Sequence, residues 1–381
     1  MKVLVASDSF KGSLSSIQVG EAVTEGVKRI FPEAAVRVIP IADGGEGTVE
    51  ALVTAGGGKY LRKMATSPLG EPVEAVMGML PDGTAVIEMA AASGLPLVPL
   101  EKRNPFITTT RGTGDLIKAA LDEGARRILI GIGGSATNDG GAGMVQALGG
   151  KLLNQDGKEL PPGGAALADL SKIDISGMDI RLKNVRITII CDVDNPLCGP
   201  RGASAVYGPQ KGANPEMVLF LDRCLSHYAK VISNQLGIDI YDIPGAGAAG
   251  GLGAGLLAFT QAELKSGTEA ILDTIKFNEM INDYDLVITG EGRIDGQSAF
   301  GKVPKGVGTR AQKNEKPVIA IVGSIGEGAE VMYDYGLNAI VPIVNRAMTL
   351  DEAVSDAYSL VVQTAERIFR LLQTGKSLHI G

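Results

Sequence analysis

Tryptophan is absent from the 381-residue chain, and aromatic residues of every kind make up only 4% of it. Stacking platforms for single-stranded nucleic acid therefore have little to be built from. The net charge of −7 points the same way, because a protein that neutralises a phosphate backbone needs an excess of Lys and Arg. No nucleic-acid partner is expected. Cys191, Cys198 and Cys224 are odd in number and form no CxxC pair, which argues for a reducing compartment and against a structural zinc site. The two histidines, His227 and His379, lie in polar settings, so acid–base chemistry falls to carboxylates or lysine. No apolar run reaches roughly 18 residues, and the opening MKVLVASDSF turns polar too soon for a signal peptide. No membrane partner and a cytoplasmic location are expected. A P-loop is missing too: Gly375-Lys376-Ser377 has Arg370 where the pattern needs its first glycine.

Glycine, in contrast, is abundant at 52 residues, with a hydrophobic fraction of 45% and a charged fraction of 21%. Such use of glycine fits an enzyme with many tight strand-to-helix loops. The length suggests two domains. Lys2 to Ala6 and Ala35 to Ile41 read as strands around a helix capped by Ser15 and Gln18, whose Val19, Val23, Val27 and Ile30 recur at helical spacing. Another helix is expected over Val49 to Thr54. Tyr60 to Ala65, Val73 to Leu80 and Thr84 to Met89 read as consecutive antiparallel strands, with Pro81-Asp82-Gly83 as a hairpin turn. A helix capped by Thr113 precedes the strand Arg127 to Ile130, and Val185 to Cys191 forms another strand. From Tyr284 the β/α rhythm returns, with strands Asp285 to Thr289, Pro317 to Val322 and Ala339 to Val344. A last helix starts at the capping box Thr349/Glu352 and runs to Gly375.

Two early and three late parallel-type strands suit a flavodoxin-like sheet of order 2-1-3-4-5. The expected fold is α/β: a discontinuous flavodoxin-like domain, residues 1–58 and 283–381, interrupted by a second α/β domain with a mixed sheet, residues 59–282. The active site is expected in the cleft between them. In an open parallel sheet, ligands gather beyond the carboxyl ends of the strands. There the sequence places Asp8 and Lys11, then Asp43 and Glu46, then Glu291, Arg293 and Asp295 with Lys302 shortly after. Carboxylates, cations and glycines together suit phosphoryl transfer, in which Mg²⁺ uses one or two carboxylates plus substrate phosphates and lysine neutralises phosphate as a point charge. Two glycine runs, Gly245 to Gly250 (GxGxxG) and Gly131 to Ala136 (GxGxxA), offer a competing reading as a dinucleotide site. Neither is followed about 20 residues later by a strand ending in an acid, so an NAD-dependent oxidoreductase of a small hydroxy acid is the alternative. A phospholigand sensor that binds ATP without turnover is a third reading.

DSFKGSLSS (Asp8 to Ser16), PIADGGEGT (Pro40 to Thr48), IEMAAASGL (Ile87 to Leu95) and GIGGSATNDGGAGM (Gly131 to Met144) resemble signature segments of type-1 glycerate kinases. So do GPQKGA (Gly208 to Ala213), GAGAAGGLG (Gly245 to Gly253) and ITGEGRIDGQS (Ile288 to Ser298), in collinear order along nearly the whole chain. The resemblance implies ATP-dependent phosphorylation of D-glycerate with Mg²⁺ beside the nucleotide, at the 2-hydroxyl in preference to the 3-hydroxyl. ATP and D-glycerate are the implied partners.

Chemistry then suggests roles. Lys11 is the candidate phosphate-neutralising cation. Asp8, Asp43 and Asp192 are candidates for Mg²⁺ or for accepting the glycerate hydroxyl proton, with Asp43 preferred as base; Asp295 is a further metal candidate. Period two along an extended segment would put Glu291, Arg293 and Asp295 on one side, with Arg293 gripping the substrate carboxylate. Lys302 and Arg111 are reserve cations. Ser135, Thr137 and Asn138 would cradle phosphate or glycerate beside N–H groups freed by Gly133 and Gly134, and Asp139 would sit over metal or cap the next helix.

Overall fold

The computed structural model describes residues 1–41, 47–299 and 301–377, excepting the side chains of the last two. Asp43 and Glu46, two of the acids singled out above, lie outside the described residues, as does His379. The strands run in order β1 (Lys2–Ser7), β2 (Ala35–Pro40), β3 (Lys59–Thr66), β4 (Pro72–Met79), β5 (Thr84–Glu88), β6 (Arg127–Gly131) and β7 (Lys151–Leu153). They continue with β8 (Lys172–Asp174), β9 (Arg186–Ile190), β10 (Glu263–Lys265), β11 (Leu286–Ile294), β12 (Val318–Ile325) and β13 (Ala339–Pro342).

The chain forms two compact units, one of residues 1–41, 54–56 and 268–377, the other of 47–53 and 57–267. Most of the helix Thr48–Gly56 thus goes with the second unit. Two local contacts explain this: the Val49 N–H donates to Glu88 Oε1 at 2.8 Å, and Val53 lies where a side chain at Gly78 would stand.

In the first unit the sheet order is β2-β1-β11-β12-β13 with every pairing parallel, the 2-1-3-4-5 arrangement. Strand β1 is apolar and fully buried from Val3 to Ala6, as a central parallel strand covered on both faces must be. The helix Ser16–Ile30 starts at the Ser15/Gln18 capping box and buries Val19, Val23 and Val27. It packs on the last helix so closely that a Cβ at Gly26 would fall 2.4 Å from the Val362 carbonyl. The C-terminal helix is not continuous. Leu350–Ser355, opened by the Thr349/Glu352 capping box, is separate from Ala357–Ser377. At the junction the Asp356 N–H donates to the Glu352 carbonyl at 2.9 Å, closing the last turn of the shorter helix.

The second unit holds a mixed sheet, β3-β4-β5-β6-β9-β10. The β3–β4 and β4–β5 pairings are antiparallel, and the rest are parallel. Asp82 closes the β4–β5 turn by accepting from the Thr84 N–H at 3.0 Å, while Gly83 takes a positive φ of 83°. The helix expected behind a Thr113 cap begins instead at Arg111, after Thr110. Thr113 is inside it, buried, with its hydroxyl on Ser93 Oγ at 2.9 Å. Among the described residues no helix is long and apolar enough to cross a membrane.

Candidate active site

In the first unit, β1 has β2 on one side and β11 on the other, so the switch in strand order falls between β1 and β11. Ligands in sheets of this order sit at that point, beyond the carboxyl ends. Ser7 is in register with Gly290, and the Asp8 N–H donates to the Gly290 carbonyl at 3.0 Å. Asp8 and Glu291 therefore emerge side by side. Glycine is needed at 290, where a Cβ would meet the Ile321 carbonyl at 2.2 Å.

Glu291 is buried, with Oε1 accepting from the Ser298 hydroxyl at 2.5 Å and Oε2 3.4 Å from Lys302 Nζ. Burial pushes its carboxyl above the usual range and the Asp8 charge adds to this, while Ser298 and Lys302 oppose it. Lys302 keeps 43% of its side chain exposed. Buried acid and accessible cation together leave a positive head in solvent that is tied to the sheet at its base. Asp8 Oδ1 accepts from the Ser9 N–H at 2.6 Å, holding the loop that leads to the exposed Lys11.

The alternation expected for Glu291, Arg293 and Asp295 is only partly realised. β11 does run to Ile294, yet Glu291 is buried while Arg293 is 67% exposed and pairs with Asp295 at 3.3 Å. Asp295 Oδ1 also accepts from the Gln297 N–H at 3.0 Å. Asp295 is thus a turn-forming acid beside Arg293.

In the second unit, the stretch after β6 turns most of its polar side chains inward. Gly133 and Gly134 are exposed, and Gly134 has a φ of 73° that favours glycine. Beyond them Ser135, Thr137, Asn138 and Asp139 are all buried. Asp139, 1% exposed, accepts from the Thr110 N–H and hydroxyl at 2.9 Å each, and from the N–H groups of Gly141 and Gly143 at 3.1 and 3.2 Å. Of the two roles foreseen for it, the structure realises the helix-end cap. Burial pushes its carboxyl up against those four donors. The Asn138 amide donates to Ser204 Oγ at 2.9 Å, while Asn138 Oδ1 and Thr137 Oγ1 have no partner among the described residues.

The group that organises this loop is Lys211, which the sequence reading passed over inside GPQKGA. It is 1% exposed, and its ammonium donates to Ser135 Oγ at 2.7 Å and to the Thr137 carbonyl at 2.6 Å. Burial pushes its pKa down to about 7, against the nearby Asp139 charge. The one signal in the sequence is a lysine between Gly208 and Gly212, in a segment that has no other charge.

The glycine run 245–250 serves the same loop. A Cβ at Gly250 would fall 1.9 Å from the Thr137 carbonyl, and Cβ atoms at Gly251 and Gly255 would fall 3.0 and 2.5 Å from Gly140. These glycines let helix and loop backbones touch, which removes the structural basis for the dinucleotide reading. Arg111 is exposed at the first turn of its helix, and the exposed Asp192 accepts from the Gly267 N–H at 3.0 Å. Among the described residues no group of three or more His, Cys, Asp or Glu could hold a metal ion.

Residues 3–373 match the model of the glycerate kinase family. The chain is 53% identical to a glycerate kinase of Bacillus subtilis over 381 residues, covering 100% of both chains. It is also 53% identical to a glycerate 2-kinase of Escherichia coli, covering 98% of this chain and 99% of the other. Among solved structures, a Salmonella typhimurium LT2 chain provisionally named glycerate kinase 2 superposes with a TM-score of 0.89 at 48% identity, covering 99% of each chain.

Proposed function

The chain belongs to the glycerate kinase family, and from that premise we infer that it transfers the γ-phosphoryl group of ATP to D-glycerate, with the 2-hydroxyl as acceptor. One observation carries the reading: carboxylates and a tethered, solvent-facing lysine meet at the switch point of a parallel sheet that has no P-loop.

Phosphoryl transfer asks a protein mainly to position two substrates and to neutralise charge spread over the migrating group. Lys302, steered by Glu291 and Ser298, and Lys11 supply positive charge beside the β1/β11 switch point. The exposed backbone at Gly133 and Gly134 can bring N–H groups to phosphate or carboxylate oxygens with no Cβ in the way. Arg293, mostly exposed and oriented by Asp295, and Arg111 suit the carboxylate of the acceptor. Asp43 remains our choice for receiving the hydroxyl proton, with Asp192 and Asp8 as the other candidates for that role.

The donor set suits Mg²⁺, which takes one or two carboxylates and keeps waters and phosphate oxygens for its other positions. Asp8, next to Glu291, would hold it. When bound, the ion supplies charge neutralisation at the phosphates. Asp192 is the alternative candidate for the ion, and Asp295, committed to its turn and to Arg293, a weaker one.

The test is a coupled assay with D-glycerate, ATP and Mg²⁺, followed by phosphorus NMR of the product. The expected product is 2-phosphoglycerate. Phosphate on the 3-hydroxyl overturns the regiochemistry alone, and absence of ATP turnover overturns the kinase.

A further inference from the structure

A hollow of about 270 Å³ lies wholly within the first unit, against the carboxyl ends of β11 and β12 and the segment after β13. Phe10 and Lys11 line one side of it, and Val344, Leu350, Ala353 and Val354 line another. Its size is near the lower end of the roughly 300–1,000 Å³ usual for small-molecule sites, and its walls are chiefly apolar, as such sites are. It does not suit a three-carbon hydroxy acid, whose groups are nearly all polar. Around it Leu350 is 78% exposed, Val344 39% and Val354 38%. Apolar side chains left in water about one concave spot mark a place where an apolar surface is received. Lys11 stands three residues beyond Asp8, so the one cation lining the hollow among the described residues leads from it toward the switch point.

We propose that this hollow seats the purine nucleoside of the phosphoryl donor, with the phosphates leaving past Lys11 toward Asp8 and Lys302. The proposal rests on the kinase reading and adds to it where the donor's base is held. The apolar walls cover the faces of the flat purine ring, and the charged chain stays outside them. Recognition is by shape and burial, which predicts affinity for the nucleoside without its phosphates.

Adenosine is the probe. On the wild-type enzyme it should inhibit competitively with ATP and not with D-glycerate, and isothermal titration should detect its binding without turnover. Ala353→Phe, which fills the hollow from the helix side, should raise KM for ATP by about tenfold or more. It should leave kcat at saturating ATP and KM for D-glycerate as they were, and abolish adenosine binding. If that variant does not fold, the inhibition pattern and titration of the wild type still decide. Adenosine that fails to bind, that competes with D-glycerate, or that binds Ala353→Phe undiminished overturns the proposal. A wild-type protein that binds adenosine but never phosphorylates D-glycerate overturns the kinase reading and leaves the nucleoside site standing.

Discussion

The loop after β6 and the loop after β11 both leave a parallel strand into glycine-punctuated, charged sequence, yet they handle charge in opposite ways. After β6, Asp139 and Lys211 are each 1% exposed and their hydrogen bonds are internal. At the end of β11 Glu291 is buried, whereas Lys302 is 43% exposed and Arg293 67%. The first loop is held by its charges, whereas the second presents them. A buried charge is tolerated only when hydrogen-bonded, and once bonded it fixes the backbone around it. An exposed charge stabilises the fold little and remains available to a ligand. Stability should therefore depend on the first loop and charge-driven rate on the second.

The largest expected effect is on folding. Asp139→Ala leaves the Thr110, Gly141 and Gly143 donors without their acceptor and Lys211 without its nearby negative charge. Breaking such a buried network costs about 3–5 kcal/mol, read as a shift in the urea unfolding midpoint. A loss under about 1 kcal/mol makes the two loops equivalent and ends the comparison.

Next in size is the effect on rate. Lys302→Ala removes the cation that Glu291 and Ser298 steer, and kcat should fall by roughly 10²-fold with little change in the melting temperature. Lys11→Ala should behave alike. Steady-state kinetics beside a thermal melt separates the two quantities. If Lys302→Ala unfolds the protein while turnover per folded molecule persists, Lys302 is structural and the contrast fails on that side.

Lys211 sharpens the comparison through pH. Its folded pKa of about 7 lies below the ordinary 10.5, so between those values the unfolded chain binds more protons than the folded one. Its contribution to stability therefore rises with pH across that window, by no more than about 1.4 kcal/mol per unit. Lys211→Met lacks the titrating group, and its stability curve should be flatter than the wild type's from pH 7 to 9. Parallel curves would falsify the buried, depressed ammonium.

The sheet order of the first unit could be read from the sequence because each of its strands is a short apolar run between helix-sized segments, and hydrophobic periodicity reports burial directly. The antiparallel β3–β4–β5 meander was equally plain from its consecutive strand-like runs and, between β4 and β5, from Pro81-Asp82-Gly83. Thr113 misled as a cap because a hydroxyl near a helix start looks the same whether it caps or is buried, and Ser93, which decides, is 20 residues away. The inward turn of Ser135 to Asp139 was hidden for the same reason. Its partners Thr110, Ser204 and Lys211 are 29, 66 and 76 residues distant from the groups they bond. Polar side chains in a glycine loop suit a ligand and a buried network equally well, and only long-range packing separates the two.

The smallest expected effect on stability is at Arg293. Its ion pair with Asp295, at 3.3 Å, joins neighbours on one exposed segment. Contacts of this kind stabilise by 0 to about 1 kcal/mol, so Arg293→Lys should unfold at the wild-type midpoint within about 0.5 kcal/mol. The same change should alter binding, because a lysine keeps the charge and loses the planar fork that grips a carboxylate in two places. KM for D-glycerate should then rise far more than KM for ATP. The opposite order assigns Arg293 to the nucleotide. A destabilised protein with both KM values intact makes the guanidinium a brace for the turn at Asp295, and the β11 loop then resembles the β6 loop after all.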